Sequence, residues 1–327
     1  MSQLYADIII DISHSAIDRV FQYRIGAEWE EQVQIGSLVT VPFGKGNAHR
    51  HGYVVGITQT PSYAPDKIKE IAEVPQKGIP IEGKLIQLAA WMRETYGTTM
   101  NQALQTVMPV KQTVRKTIQK VEETKLSEDQ WEFVTLNAEQ QALVDEFAED
   151  VQMSTRKTYL LHGVTGSGKT EVYIQCIKEV IREGGQAIVL IPEISLTYQT
   201  LARFRKHFGT RVAFVNSRQS KGEKYEQFRK AKDGEVDVVF GPRSALFTPF
   251  PNLKLIVMDE EHDSAFKSDQ APRYHARDVA VKRAELENAS VILGSATPSV
   301  ESYARAETGQ YRLWELKDRP DGVKAQK

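Results

Sequence analysis

Residues 163–170 read Gly163-Val164-Thr165-Gly166-Ser167-Gly168-Lys169-Thr170, the G-x-x-x-x-G-K-T spacing of a loop that cradles a triphosphate. Its glycines, Gly163, Gly166 and Gly168, let successive backbone N–H groups turn toward one point. The helix that should follow adds its partial positive charge, Lys169 reaches the outer phosphates, and the Thr170 hydroxyl ligates Mg²⁺. Ser167 completes the cradle. The apolar run Tyr159-Leu160-Leu161 before the loop and the helix-like stretch Glu171 to Arg182 after it supply the flanks this chemistry needs. A second cluster, Asp259-Glu260-Glu261-His262, closes the strand-like run Leu255-Ile256-Val257-Met258. Four ionisable residues there are costly unless they meet a ligand at the carboxyl end of a strand. Asp259 is placed to hold Mg²⁺ opposite Thr170, and Glu260 to orient and deprotonate an attacking water. A third station, Gly294-Ser295-Ala296-Thr297-Pro298, follows the buried-strand pattern Val291-Ile292-Leu293 and offers hydroxyls to a neighbouring carboxylate or histidine. A nucleoside triphosphate and Mg²⁺ are the ligands these residues imply.

The elements that must position these stations alternate along the second half. A helix over Glu139 to Glu149 precedes apolar strands at Tyr159 to His162, Ala187 to Ile191, Val212 to Val215, Val236 to Phe240, Leu255 to Met258 and Val291 to Leu293. Strands alternating with amphipathic helices predict a parallel α/β sheet. The first sixty residues differ. Asp7 to Ile12, Val20 to Ile25, Leu38 to Val41 and Tyr53 to Ile57 are strand-like and separated by Gly- and Pro-bearing turns, which predicts a small β barrel or sandwich. From Glu82 the spacing of Leu85, Leu88, Ala89, Met92 and Tyr96 becomes helical. The organisation expected is a first domain over 1–109, a charged linker over 110–135, an ATP-binding domain over 136–316 and a tail over 317–327.

Composition narrows the function classes. The 327 residues carry 42 Lys+Arg against 43 Asp+Glu, so no global basic field announces nucleic acid, and any such binding must be local. The one cysteine, Cys176, lies in the helix-like stretch after the phosphate loop and cannot form an internal disulfide or a zinc site. The N-terminus lacks a secretory pattern and no apolar run reaches membrane-spanning length, so a cytoplasmic location is expected.

The ordered strings GVTGSGKTEVY, IPEISLTYQT, RSALFTPF, DEEHD, RYHARD and GSATPSVES resemble the first motor lobe of a superfamily 2 helicase, and within it the primosomal protein N′ (PriA) family of replication-restart helicases. The resemblance extends to the first domain through Asp18-Arg19-Val20-Phe21-Gln22-Tyr23, Val41-Pro42-Phe43-Gly44-Lys45 and the helix around Trp91, which look like the family's 3′ DNA-end-binding domain. It implies a RecA-like P-loop lobe in which Lys169 and Thr170 bind phosphate and Mg²⁺, Asp259 and Glu260 perform hydrolysis, and His262 couples nucleotide state to DNA contact. Leu136-Asn137-Ala138-Glu139-Gln140 resembles the segment whose glutamine reads adenine, which makes Gln140 the base-recognition candidate. Arg243 and Ser244 resemble a backbone-contact position. Phe266 and Lys267, with Arg273, Tyr274 and Arg277, look like an aromatic-rich loop whose rings stack on single-strand bases while the cations meet phosphates. In the first domain Phe21 and Tyr23 share one face of an alternating strand, the usual pattern of a core. The resemblance offers them, with Gln22, a second use as a pocket for a terminal nucleotide; Lys45, His49 and Arg50, in a hairpin loop, face the DNA backbone. Expected partners are forked DNA with a 3′ end, single-strand-binding protein and primosome loaders. The activity implied is ATP-driven 3′-to-5′ unwinding; a DNA-end and ATP-binding module without motor action, and an ATPase acting on RNA, are the rival readings.

The sequence departs from the family in four places. Gln22 stands where an Asp is common, and Pro242 where a Thr is usual, which removes a hydroxyl and a backbone donor. The stretch 111–135 is too short for the family's winged-helix domain. The sequence given stops at Lys327, so the second lobe with its arginine finger and the zinc-binding cysteines is not in it. Such a finger is worth about 10³ to 10⁵ in rate in related phosphoryl transfer, and the expectation is ATP binding with weak hydrolysis.

Overall fold

Alternation in the first sixty residues becomes β1 (Tyr5–Ile10), β2 (Phe21–Arg24), β3 (Leu38–Phe43) and β4 (Ala48–Thr58), antiparallel in the order β2-β1-β4-β3. The computed structural model describes residues 3–12, 14–75, 80–108, 135–192 and 198–317; the expected linker lies almost wholly outside them, as do Glu193 and the tail. The inward positions Ala6, Ile8, Ile10, Tyr23, Val39, Val41 and Val54 form the core, with Phe21 and Phe43 packed against it. The segment Lys69–Glu73 hydrogen-bonds both edge strands. Arg24 N donates to Lys69 O at 2.8 Å on one side, and Ala72 N donates to Thr40 O at 2.9 Å on the other. This seam curls the sheet into the barrel-like form expected. His49 and Arg50 are on β4, paired with Pro42 and Val41, rather than in the hairpin loop, which is only Gly44–Asn47. The helical spacing after Glu82 forms α1 (Gly83–Tyr96), which buries Leu85, Leu88, Ala89 and Met92 and stops at Gly97, φ 61°. A capping box from Thr99 and Gln102 then opens α2 (Met100–Val107).

The second half is a parallel α/β sheet. In chain order its elements are α3 (Ala138–Gln152), β5 (Thr158–Gly163), α4 (Lys169–Arg182), β6 (Gln186–Leu190), α5 (Tyr198–Phe208), β7 (Val212–Phe214), α6 (Lys221–Lys232), β8 (Val238–Gly241), β9 (Leu253–Asp259), α7 (Ala276–Glu287), β10 (Ser290–Ser295), α8 (Val300–Glu307) and β11 (Arg312–Leu316). The seven strands run β11-β5-β10-β9-β6-β8-β7, every neighbouring pair parallel. Their near-continuous apolar runs are what burial on both faces requires. The sequence reading anticipated six of these strands and not β11, whose Trp314 packs against Tyr159 with ring centroids 4.2 Å apart. Adjacent strands β5, β10 and β9 end in Gly163, Ser295 and Asp259, so the three chemical stations share one edge of the sheet. The chain divides into two units, Met1–Thr113 with Lys267–His275, and Val114–Phe266 with Ala276–Lys327. No helix among the described residues is long and apolar enough to cross a membrane.

Candidate nucleotide-binding and motor site

The phosphate loop leaves β5 at Gly163 and enters α4 through Gly166 and Gly168, both at φ 82°, a left-handed conformation that glycine adopts without strain. Gly163 serves close approach instead: a Cβ there would stand 2.6 Å from Ser167 Oγ. That hydroxyl is buried with no hydrogen-bond partner, an unsatisfied polar atom in the place where the loop should meet an anion. Lys169 folds back on its own loop, Nζ donating to Gly163 O at 2.9 Å, which leaves two of its three N–H groups for phosphate. Gly166, Gly168 and Lys169 line a cleft of about 310 Å³ together with Gln140, Thr165, Thr170, Glu171, Arg203, Asp259 and Glu260. Thr170 and Asp259 on one cleft fit a hard cation with oxygen ligands, and the loop N–H groups with Ser167 fit its triphosphate.

Gln140 is tied into the loop. Its backbone N donates to Asn137 Oδ1 at 2.8 Å, its Oε1 accepts from Asn137 N at 3.0 Å, and its Nε2 donates to Ser167 O at 2.9 Å. The amide expected to read adenine therefore first fixes the start of α3 against the phosphate loop. One further N–H and one lone pair remain in an amide's inventory for a base.

The acidic tetrad splits by role. Asp259 accepts from Tyr173 OH at 2.9 Å. Burial, then the neighbouring Glu260, raise its pKa, while Tyr173 and Lys169 work against the rise. Glu260 sits at φ 51°, an uncommon region for a side-chain-bearing residue and one that collects at functional sites. It leaves its carboxylate 3.7 Å from His262 Nδ1. The same imidazole nitrogen pairs with Ser295 Oγ at 2.7 Å, and Nε2 approaches Thr297 Oγ1 at 3.4 Å. The tetrad and the Ser-Ala-Thr turn are thus joined through one imidazole, as the hydroxyls of that turn suggested. Glu261 does something different. It is fully buried and accepts from Ser299 N at 2.6 Å, Ser302 Oγ at 3.0 Å and Arg277 Nη1 at 3.2 Å.

Residues 7–109 match the family described as the PriA 3′ DNA-binding domain, and residues 133–300 match the family described as type III restriction enzyme, res subunit. The replication restart protein PriA of Bacillus subtilis is 53% identical over 184 residues, 56% of this chain and 23% of that protein. The PriA of Chlamydia muridarum is 32% identical over an alignment covering 97% of this chain and 52% of that protein. The chain belongs to the PriA family. It spans about half the length of the curated PriA relatives that align along nearly all of it. Among solved structures, RecG bound to a three-way DNA junction resembles it at 25% identity with a TM-score of 0.45, over 59% of this chain and 25% of that one.

The residues that the PriA resemblance assigned to DNA are placed unevenly. Lys267 and Arg273 are exposed, but Phe266 and Tyr274 are buried, so these rings do not present stacking faces to solvent. The segment between them doubles back through a Lys267–His275 bridge, with Ser268 N donating to Tyr274 O. Arg277 corrects the expectation of a phosphate contact. Its guanidinium is buried on Glu261, Ser299 and Ser302, because a fully buried carboxylate needs a counter-charge. Arg243 donates to Ala265 O at 3.1 Å, and it and Ser244 are half-buried. In the first unit Tyr23 is core, its hydroxyl donating to Pro42 O at 3.2 Å and its pKa pushed by burial to about 12. Phe21 packs edge-on against Phe43. Gln22 points the other way, donating to Asp7 Oδ1 at 3.1 Å and accepting from Ser62 N at 2.6 Å. Lys45 is exposed in the hairpin turn.

Two contributors escaped the sequence reading. Tyr173 lies one turn into α4, in a stretch read only as helix-like. Its hydroxyl reaches Asp259 because Gly294 offers no side chain: a Cβ there would lie 1.6 Å from it. Arg203 on α5 had no motif to mark it.

Proposed function

We propose that this chain is the nucleotide-binding and fork-recognising part of an ATP-driven 3′-to-5′ DNA helicase of replication restart. The observation that carries this reading is the single cleft holding Lys169, Thr170, Asp259 and Glu260, continued through His262 to Ser295 and Thr297. Bound Mg²⁺ would neutralise charge on the triphosphate. The chain's own residues do the rest. Loop N–H groups and Ser167 hold the anion, Lys169 supplies the local cation, and Glu260 orients and deprotonates water. His262 registers the position of Glu260 at the strand end where Ser295 and Thr297 sit. The unit spanning 136–316 is read as the ATP-binding lobe and 1–109 as the DNA-end binder, with forked DNA, single-strand-binding protein and primosome loaders as partners.

The test is steady-state ATP hydrolysis with and without forked DNA carrying a free leading-strand 3′ end. Turnover stimulated by the fork and lost in Glu260→Gln supports the motor reading. Retained binding of ATP and fork with no turnover in any condition favours a binding module, and equal affinity for RNA and DNA forks counts against DNA specificity.

A further inference from the structure

Glu171 is the carboxylate that the nucleotide reading leaves unused. It follows Thr170 in the first turn of α4, lines the cleft, and is 2% exposed. A buried negative charge beside groups gathered for a triphosphate repels that ligand unless it is countered. The counter-charge comes from α5. Arg203 Nη2 donates to Glu171 Oε2 at 2.5 Å, and one turn further along His207 Nε2 stands 3.9 Å from Glu171 Oε1. Burial, then Lys178, lower the pKa of His207, so at neutral pH the charge that answers Glu171 is on Arg203. Unlike its partner, the Arg203 side chain is 40% exposed, and it lines the same cleft as Lys169, Thr170 and Asp259. A guanidinium carries five donors in a rigid fork that suits phosphate oxygens, and the bond to Glu171 uses one of them.

We propose that Arg203 is a phosphate-binding residue of the nucleotide site, anchored by Glu171 and spanning from that carboxylate to the triphosphate. The anchor fixes a flexible side chain in advance, so less entropy is lost when the ligand arrives. It also sets the geometry, because Glu171 rides on the same helix turn as Lys169 and Thr170. The inference rests on the reading of the cleft as an ATP site.

The test is calorimetric titration of the 327-residue chain with ATP in Mg²⁺, using Arg203→Gln, Glu171→Gln, the double variant and Lys169→Ala. A direct contact to a charged phosphate is worth roughly tenfold or more in affinity. Arg203→Gln should lose that much, and the loss should persist in the Glu171→Gln background, where no buried carboxylate is left to repel the ligand. In the double variant two glutamine amides face each other, neutral and able to hydrogen-bond, which keeps the comparison available if the single Arg203 variant folds poorly. If the loss disappears in the Glu171→Gln background, Arg203 only neutralises Glu171 and the proposal is overturned. If Lys169→Ala weakens ATP and Arg203→Gln in both backgrounds does not, this inference fails while the nucleotide reading stands. If the parent chain and Lys169→Ala bind ATP equally poorly, both fall.

Discussion

Asp259 and Glu261 are two residues apart in one turn, yet they occupy opposite regimes. Glu261 has its carboxylate saturated by Ser299, Ser302 and Arg277, and is completely removed from water. Asp259 has Tyr173 on one oxygen and a pKa raised by burial and by Glu260. One site closes the start of α8 onto the end of β9; the other, with the unpartnered Ser167 hydroxyl and the left-handed Glu260, holds unfavourable terms that only a ligand relieves. The difference teaches that an acidic string beside a phosphate loop is not one device. On the proposed function Asp259 and Glu260 serve the ligand, while the hydrogen bonds of Glu261 tie it to the fold.

The sharpest way to break this comparison is Glu261→Ala. Removing one partner of a buried ion pair leaves Arg277 with Asp278, 3.7 Å away, as a counter-charge and costs about 3 kcal/mol. The thermal midpoint should fall by about 10 °C, while ATP affinity of the remaining folded protein stays near that of the parent. A melt indistinguishable from the parent would show that the network does not carry the fold. Lys169→Ala should do the reverse. ATP binding is lost, the midpoint moves by no more than about 2 °C, and affinity for a DNA 3′ end stays within a few fold. A collapse of DNA affinity would mean that the end-binding and nucleotide functions are not carried by separate parts of the chain.

The contrast was legible in the sequence only in part. Gly163 to Thr170, the tetrad and the Ser-Ala-Thr turn can be read because each combines a local backbone requirement with a strand end, and the alternation of apolar runs pointed to the parallel sheet. What sequence could not show was the division of labour inside the tetrad. Glu261 differs from Glu260 only through Ser299, Ser302 and Arg277, which lie 16 to 41 residues away. For the same reason Arg277 looked like a phosphate contact: a lone arginine beside aromatics carries no mark of a buried partner. β11 escaped because its five residues include Arg312 and Glu315, and an edge strand of that kind has no apolar run. Tyr173 is core, yet its hydroxyl donates to Asp259.

Asp259→Asn tests the strained half. Because the pKa of Asp259 is raised in the fold, the native state binds more protons than the unfolded state between the ordinary and the raised values. Stability therefore falls as pH rises through that window and stays lower above it. Asparagine removes the penalty and can still accept from Tyr173, so at a pH of about 7.5 without Mg²⁺ the variant should melt a few degrees above the parent, while Mg²⁺-dependent ATP binding is lost. A midpoint below that of the parent would show that the Asp259 carboxylate stabilises the fold.

The smallest expected effect is the most specific to the comparison. Tyr173→Phe removes the hydroxyl that holds the pKa of Asp259 down, with no change in the ring itself. The cost in stability is about 1 kcal/mol, that of one buried hydrogen bond. With that donor gone the pKa of Asp259 rises further, so the pH below which Mg²⁺-dependent ATP affinity fades should move upward. Affinity for ATP measured without Mg²⁺ should follow pH alike in the variant and the parent, because Asp259 is assigned to the cation. A Tyr173→Phe protein whose pH profile overlays that of the parent would assign Tyr173 to packing alone, and would leave Asp259 poised by its burial and by Glu260.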